Sequence, residues 1–540
     1  MGQYSRFIIE LTDKRGTPFN IGSPEFYLSP ESIQRRKLYG IGVDSSDLPI
    51  TPSYLDSIKK SGRVEILSSS KWLNMVLIKT TDPVALAKIS QFSFVKKRNP
   101  IGNKPRIVGQ QKTPDTVFEN SSVLYQHKML NNALDYGRSN QQISIHEGEF
   151  LHNAGYTGNG VKIAVFDAGF FKYQNISAFD SIRLNDKIKL TRDFVENTTS
   201  VNEDDAHGMY CLSILAANIP GTMIGSAPQA SYYLFRTEDV ASEYPVEEFY
   251  WVAAAEMADS LGAKMISSSL GYSTFDDPSF DYNYLMMNGK STMVSRGASF
   301  AAKKGMIVMN SAGNEGNKSW KYIIAPADTE DILAVGAVNT IKQVASFSSY
   351  GPSADNRVKP DIASVGWNTF VISTTGALAQ GNGTSFSNPN IAGLVACLWQ
   401  AFPEFNNREI IEAVKKSSDR FNNPDTRTGY GIPNMRIAYG LLEKERNTRR
   451  AITILKNERI KVYPNPLGEK LTVVYHHQKS GTLKIKLFNV EGKLLRDWSF
   501  NTIAGEYQYF QLNDLSVLPH GEYFLRFDDQ VGKGTIRLQK

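Results

Sequence analysis

Four short segments of this 540-residue chain hold side chains that could act on one another. In the run from Val161 to Gly169, a solid apolar stretch ends in Asp167 and a tight Ala168-Gly169 turn. Open α/β sheets bind ligands just outside the carboxyl ends of their strands, which is where Asp167 falls. In Asp204-Asp205-Ala206-His207-Gly208, His207 stands at the start of an apolar helix (Leu212, Ile214, Leu215), unlike the other six histidines. In Gly381-Asn382-Gly383-Thr384-Ser385, a glycine-rich turn delivers Ser385 to a helix N-terminus, where N–H groups and the dipole favour negative charge. Pro389 is expected in the first turn of that helix. In Met306 to Gly316, a buried strand leads to Asn314, an amide flanked by glycines and suited to donate to a developing oxyanion. Singly, each has an ordinary structural reading: an Asp capping a turn, a satisfied His, a Ser as N-cap.

Together they weigh differently. The chain order Asp, His, Ser is that of subtilisin, distinct from the trypsin-like and α/β-hydrolase orders. With Ser269-Leu270-Gly271, Ala312-Gly313-Asn314-Glu315-Gly316 and Gly383-Thr384-Ser385, residues 140–440 resemble a subtilisin-like serine peptidase, a subtilase. The resemblance implies Ser385 as nucleophile, His207 as its base and Asp167 as the group that orients His207. It implies Asn314 and the Ser385 N–H as oxyanion donors. Ser269, Leu270 and Gly271 would pair with substrate and wall one side of the main specificity pocket, and Ser311, Ala312 and Gly313 the other. Met209 and Tyr350 stand where the family often has Thr and Arg, which bears on subfamily and not on catalysis. Cys211, one turn after His207, matches a cysteine of proteinase K-like members. Two rivals are a silent subtilase fold serving as a surface binding protein, and an esterase or lipase. The intact Asp167, His207, Asn314 and Ser385 argue against the first. The second would put a Gly-x-Ser-x-Gly elbow before Asp and His.

These residues need a scaffold, and the sequence suggests an α/β middle: a doubly wound, mostly parallel sheet at 131–445. Residues 1–130 read as a small α+β unit and linker, with strands at Tyr4–Leu11, Arg63–Leu67, Trp72–Lys79 and Phe92–Lys97. Residues 99–122 are turn-rich and are expected to be mobile. By position and pattern this unit resembles the propeptide of subtilase precursors, a chaperone and inhibitor. Residues 446–459 read as a linker. From Ile460 the pattern turns to period two, predicting an all-β sandwich at 460–540. Val462-Tyr463-Pro464-Asn465-Pro466 and Leu487 to Lys493 resemble the C-terminal sorting domain of the type IX secretion system.

The resemblances imply a secreted or cell-surface serine endopeptidase, exported through the periplasm and made as a self-processed precursor. Its partners would be polypeptide substrates, its own propeptide and the secretion machinery. The N-terminus lacks the apolar core of a signal peptide, which is expected to have been trimmed. No segment has the ~18 apolar residues of a membrane span. Nucleic acid is not an expected partner, because basic residues are scattered. The charge is instead blocked: residues 1–130 carry net +8, 131–445 net −9 and 446–540 net +7. Attraction between segments of one chain accounts for this pattern. Two cysteines exclude a disulfide scaffold. No cofactor is assigned. Glu203-Asp204-Asp205 and Asp276-Asp277 with Asp281 offer oxygen ligands of the kind Ca²⁺ takes, but such runs are more often solvated faces.

Overall fold

The structure is a computed structural model that describes residues 4–102, 117–119, 134–202, 205–529 and 531–540. It divides into two units, Met1–Tyr439 and Gly440–Lys540.

The centre of the first unit is a sheet of seven strands, every neighbouring pair parallel. Across the sheet they run Ile362–Val365, Leu333–Val338, Ile307–Ser311, Met265–Ser268, Lys162–Asp167, Ser231–Arg236, Ile188–Asp193. Parallel neighbours require crossovers, here made largely by helices. Six of the strands are buried at almost every position, so both faces are covered. The strand Lys162–Asp167 lies where the chain order reverses, between Met265–Ser268 and Ser231–Arg236. Its carboxyl end is therefore the switch point at which such sheets place ligands.

The N-terminal α+β unit is a four-stranded antiparallel sheet in the order Glu65–Ser70, Met75–Lys79, Arg6–Leu11, Val95–Gly102. Its helices start on good caps: Ser29 Oγ accepts from Ser32 N at 3.2 Å, and Asp82 Oδ1 from Val84 and Ala85. Period two gives the sheet two apolar faces. Ile9, Val76 and Ile78 pack with Ile58 and Ile89 of its own helices. Ile8, Met75 and Leu77 join the core of the middle region, with Phe249, Tyr250 and Ala254. The last strand begins and ends later than the sequence suggests. Phe92 and Phe94 stack with each other, and Phe94 stacks on Tyr54, so they belong to the turn before it. Asn99-Pro100 belongs to the strand, which lies at the sheet edge, where proline is tolerated. Of the stretch 99–122, residues 99–102 and 117–119 are thus strand, and the rest lies outside the described residues, as do His127 and the 130/131 boundary. The strand Val117–Glu119 pairs antiparallel with Leu378–Gly381.

Charge locks the α+β unit in place. Arg35 and Arg36 both donate to the fully buried Asp259, Arg36 also to Asp47, and Lys304 Nζ lies 2.8 Å from Asp47. Glu256 accepts from Ser70 Oγ at 2.5 Å, Lys71 N at 2.9 Å and Trp72 N at 3.0 Å.

The second unit has two antiparallel sheets. One orders Ile460–Tyr463, Leu471–His476, Tyr507–Leu512, and the other Leu494–Thr502, Gly481–Asn489, Glu522–Asp528, Lys533–Gln539. Alternate residues such as Leu483, Ile485 and Leu487 point into its core. The stretch 446–459 is helical as far as Leu455. Among the described residues no helix is long and apolar enough to cross a membrane.

Candidate active site

Asp167 closes its strand fully buried, and its Oδ1 lies 2.7 Å from His207 Nδ1. A carboxylate only accepts, so Nδ1 carries the proton and Nε2 is left as the basic nitrogen. His207 heads the helix His207–Ala216, and Asp205 Oδ1 accepts its backbone N–H at 2.7 Å. Gly208 explains the His-Gly pair. A Cβ there would sit 2.5 Å from Gly169 O and 2.7 Å from Asp167 Cβ, so only glycine lets the helix start meet the strand end.

Ser385 is the second residue of the helix Thr384–Ala401. Pro389 lies in the second turn of that helix, not the first, because the helix already begins at Thr384. Its missing N–H would have bonded Ser385 O, four residues back. That carbonyl accepts from Ser269 Oγ at 2.8 Å and Cys211 Sγ at 3.4 Å instead. The proline thus lets two further elements hold Ser385. Cys211 is fully buried, 4.0 Å from His207 Nδ1, and burial pushes its thiol up to about 11. Cys211 and Cys397 are both free.

Asn314 is oriented by its neighbours. Its Oδ1 accepts from Thr384 N at 2.8 Å and Thr384 Oγ1 at 2.9 Å, which leaves the amide N–H₂ on the other branch as donor. Gly313 has φ +107° and no room for a Cβ, which would lie 2.8 Å from Ser349 Oγ. The segment Ser269-Leu270-Gly271 is held by Asn310 Nδ2, which donates to Leu270 O at 2.8 Å.

His207, Ser385, Asn314, Ser269, Leu270, Gly271, Ser311 and Gly313 line one cleft of about 280 Å³. Asp167 stands behind His207. Ala312 is fully buried in a small apolar cluster with Ile323 behind the wall. The same cleft is lined by Thr384, Glu238 and Glu243, which sequence reasoning missed. Thr384 lies inside the Gly383-Thr384-Ser385 motif, although no role was assigned to it there. Glu238 and Glu243 carry no motif.

The acidic runs considered for calcium hold backbone amides. Asp281 Oδ1 accepts from Phe275 N at 2.7 Å, Asp276 Oδ2 from Glu243 N at 3.0 Å and Asp277 Oδ1 from Ser279 N at 3.0 Å. Of the other run, Asp205 accepts the backbone N–H of His207, and Glu203 and Asp204 lie outside the described residues.

The model of the subtilase family matches residues 158–431. The chain belongs to the subtilase family. A model of the peptidase S8 propeptide domain of Bacteroidota matches residues 6–116 of this subtilase, and one of the secretion system C-terminal sorting domain matches 461–539. Subtilisin NAT of Bacillus subtilis subsp. natto is 27% identical over 353 residues, 64% of this chain and 82% of that protein. Subtilisin Savinase of Lederbergia lenta is 28% identical over 308 residues, 57% of this chain and 97% of that one. A crystal structure of MycP1 from Mycobacterium smegmatis aligns with TM-score 0.46 and 20% identity, covering 61% of this chain and 89% of that one. The protein is a subtilisin-like serine peptidase with a propeptide domain and a type IX sorting domain, the latter implying secretion or display at the cell surface.

Proposed function

We propose that this subtilase is an endopeptidase that works through Asp167, His207 and Ser385 and cleaves its own precursor. The observation that carries the reading is the 2.7 Å contact from Asp167 to His207, with His207 and Ser385 lining one cleft. A substrate strand lies along Ser269-Leu270-Gly271, its side chain against Ser311 to Gly313. His207 Nε2 takes the Ser385 hydroxyl proton as Oγ attacks the scissile carbonyl carbon. The Asn314 amide and the Ser385 N–H receive the oxyanion. Asp167 holds the imidazolium, which protonates the leaving amine, and water then hydrolyses the acyl-enzyme by the same steps. No step calls for a cofactor.

The domains follow as propeptide and linker at 1–130, peptidase at 131–445, linker at 446–459 and sorting domain at 460–540. The partners are polypeptide substrates, the propeptide and the export machinery. The buried ion pairs to Asp259 and the amides on Glu256 support a propeptide that folds against its peptidase and restrains it. The test is the intact mass of purified chain. Native precursor should split, and Ser385→Ala should stay whole. A variant that splits equally in the absence of other peptidases would refute the reading.

A further inference from the structure

We propose that Glu238 and Glu243 make the cleft selective for a lysine or arginine two to four residues before the scissile bond, an inference that rests on the reading of Ser385 above. Glu238, Glu243 and Glu247 bring carboxylate oxygens within 4.8 Å of one another. Glu238 and Glu243 line the cleft that contains Ser385 and Ser269–Gly271, so a peptide bound for cleavage passes them. Glu238 accepts the hydroxyl of Tyr272, the residue after Gly271. Ser269 Oγ bonds Ser385 O at the other end of that segment, so the carboxylates stand at its end away from Ser385.

Their chemistry suits a cationic side chain better than a metal ion. Glu247 spends both oxygens on backbone amides, accepting from Asp239 N at 2.8 Å and Tyr244 N at 3.1 Å. It pins the loop that carries Glu243. Glu238 has one oxygen on Tyr272, whose hydroxyl is held well above its usual range by burial and by Glu238, Glu247 and Glu243, so it stays a neutral donor. The rest of the lining tilts the same way. Asp205 and Glu315 are acidic, and the lysine, Lys318, lies 2.9 Å from Glu315. Carboxylates gathered this closely favour a cation that enters the cleft, by Coulomb's law.

The experiment uses processed enzyme and fluorogenic peptides that carry lysine or norleucine at each of the second to fourth positions before the scissile bond. A charge-assisted contact predicts kcat/KM for lysine ~10-fold or more above norleucine at one of these positions. The ratio should shrink in Glu243→Gln, whose partly exposed side chain puts folding at little risk, and further with Glu238→Gln. Fluorophosphonate labelling of Ser385 is read in parallel. Labelled enzyme with equal rates on both peptides, or a ratio unchanged in the double variant, overturns the proposal alone. A lysine preference abolished by calcium would assign the carboxylates to a metal and overturn it too. Absence of labelling in native enzyme removes the nucleophile assignment and this inference with it.

Discussion

At the residue scale, the constellation proposed for catalysis can be read from residue types and their order. Asp167 ends a strand, His207 and Ser385 lie at helix starts, Asn314 lies in the loop after a strand, and glycines beside them announce close approach. What stayed hidden depends on three-dimensional neighbours. The role of Pro389 is to free Ser385 O for Ser269 and Cys211, and nothing in its spacing says so. Glu238 and Glu243 sit between recognised motifs, and only the fold turns them to the cleft. The orientation of Asn314, fixed by two bonds from Thr384, makes it a preset donor. Asn314→Ala should therefore lower kcat ~10²–10³-fold, the loss known for one oxyanion donor in subtilisin, with KM little changed. Steady-state kinetics on a peptide substrate checks this. A change confined to KM would make Asn314 a binding residue.

At the element scale, the sheet was legible because strands covered on both faces read as short solid apolar runs bounded by turn residues. The docking of the propeptide sheet was not legible. Both its faces are apolar, and sequence alone does not say that one of them covers Phe249 and Tyr250. Two predictions belong here. Asp259→Ala leaves Arg35 and Arg36 buried without their shared carboxylate in the precursor, a loss of ~3–5 kcal/mol for a broken buried pair. Propeptide added to processed Asp259→Ala enzyme should thus inhibit at least ~100-fold more weakly than with native enzyme, as titrated inhibition will show. The second concerns Glu248, buried where the helices Val246–Ser260 and Met293–Lys303 meet, with Val294 N at 2.8 Å and the Tyr282 hydroxyl as donors. Burial, with nearby Asp328 adding to it, pushes its carboxyl up to about 7. A raised value means that the folded state binds this proton more tightly than the unfolded one. Its contribution is complete below the ordinary carboxylate range and is lost as pH rises through about 7. On the Ser385→Ala background, Tm should fall by several degrees between pH ~5 and ~8, and Glu248→Gln should flatten the fall. Parallel curves for the two proteins would exclude Glu248 as the source.

At the scale of the whole molecule, the charge blocks found in the sequence acquire a partial structural counterpart. The net +8 of residues 1–130 meets the net −9 of residues 131–445 through pairs such as Arg36 with Asp259, while Trp72 stacks on Phe300 at 6.0 Å. Long-range attraction should speed docking more than tighten it. The Debye length falls from ~8 Å at 0.15 M salt to ~3 Å at 1 M, so in stopped-flow the association rate of separate propeptide should drop steeply with salt while dissociation hardly moves. A salt-independent association rate would reduce the blocks to solvated faces. Three family models in one chain, and a second unit with its own core, describe a peptidase carried between a propeptide and an export signal. All of this turns on whether Ser385 is the nucleophile. The direct measurement is fluorophosphonate treatment of processed enzyme, followed by mass mapping of the adduct. The account predicts one phosphonylated residue, Ser385, with labelling lost on unfolding and in Ser385→Ala; an adduct on another residue, or equal labelling of the variant, would contradict it.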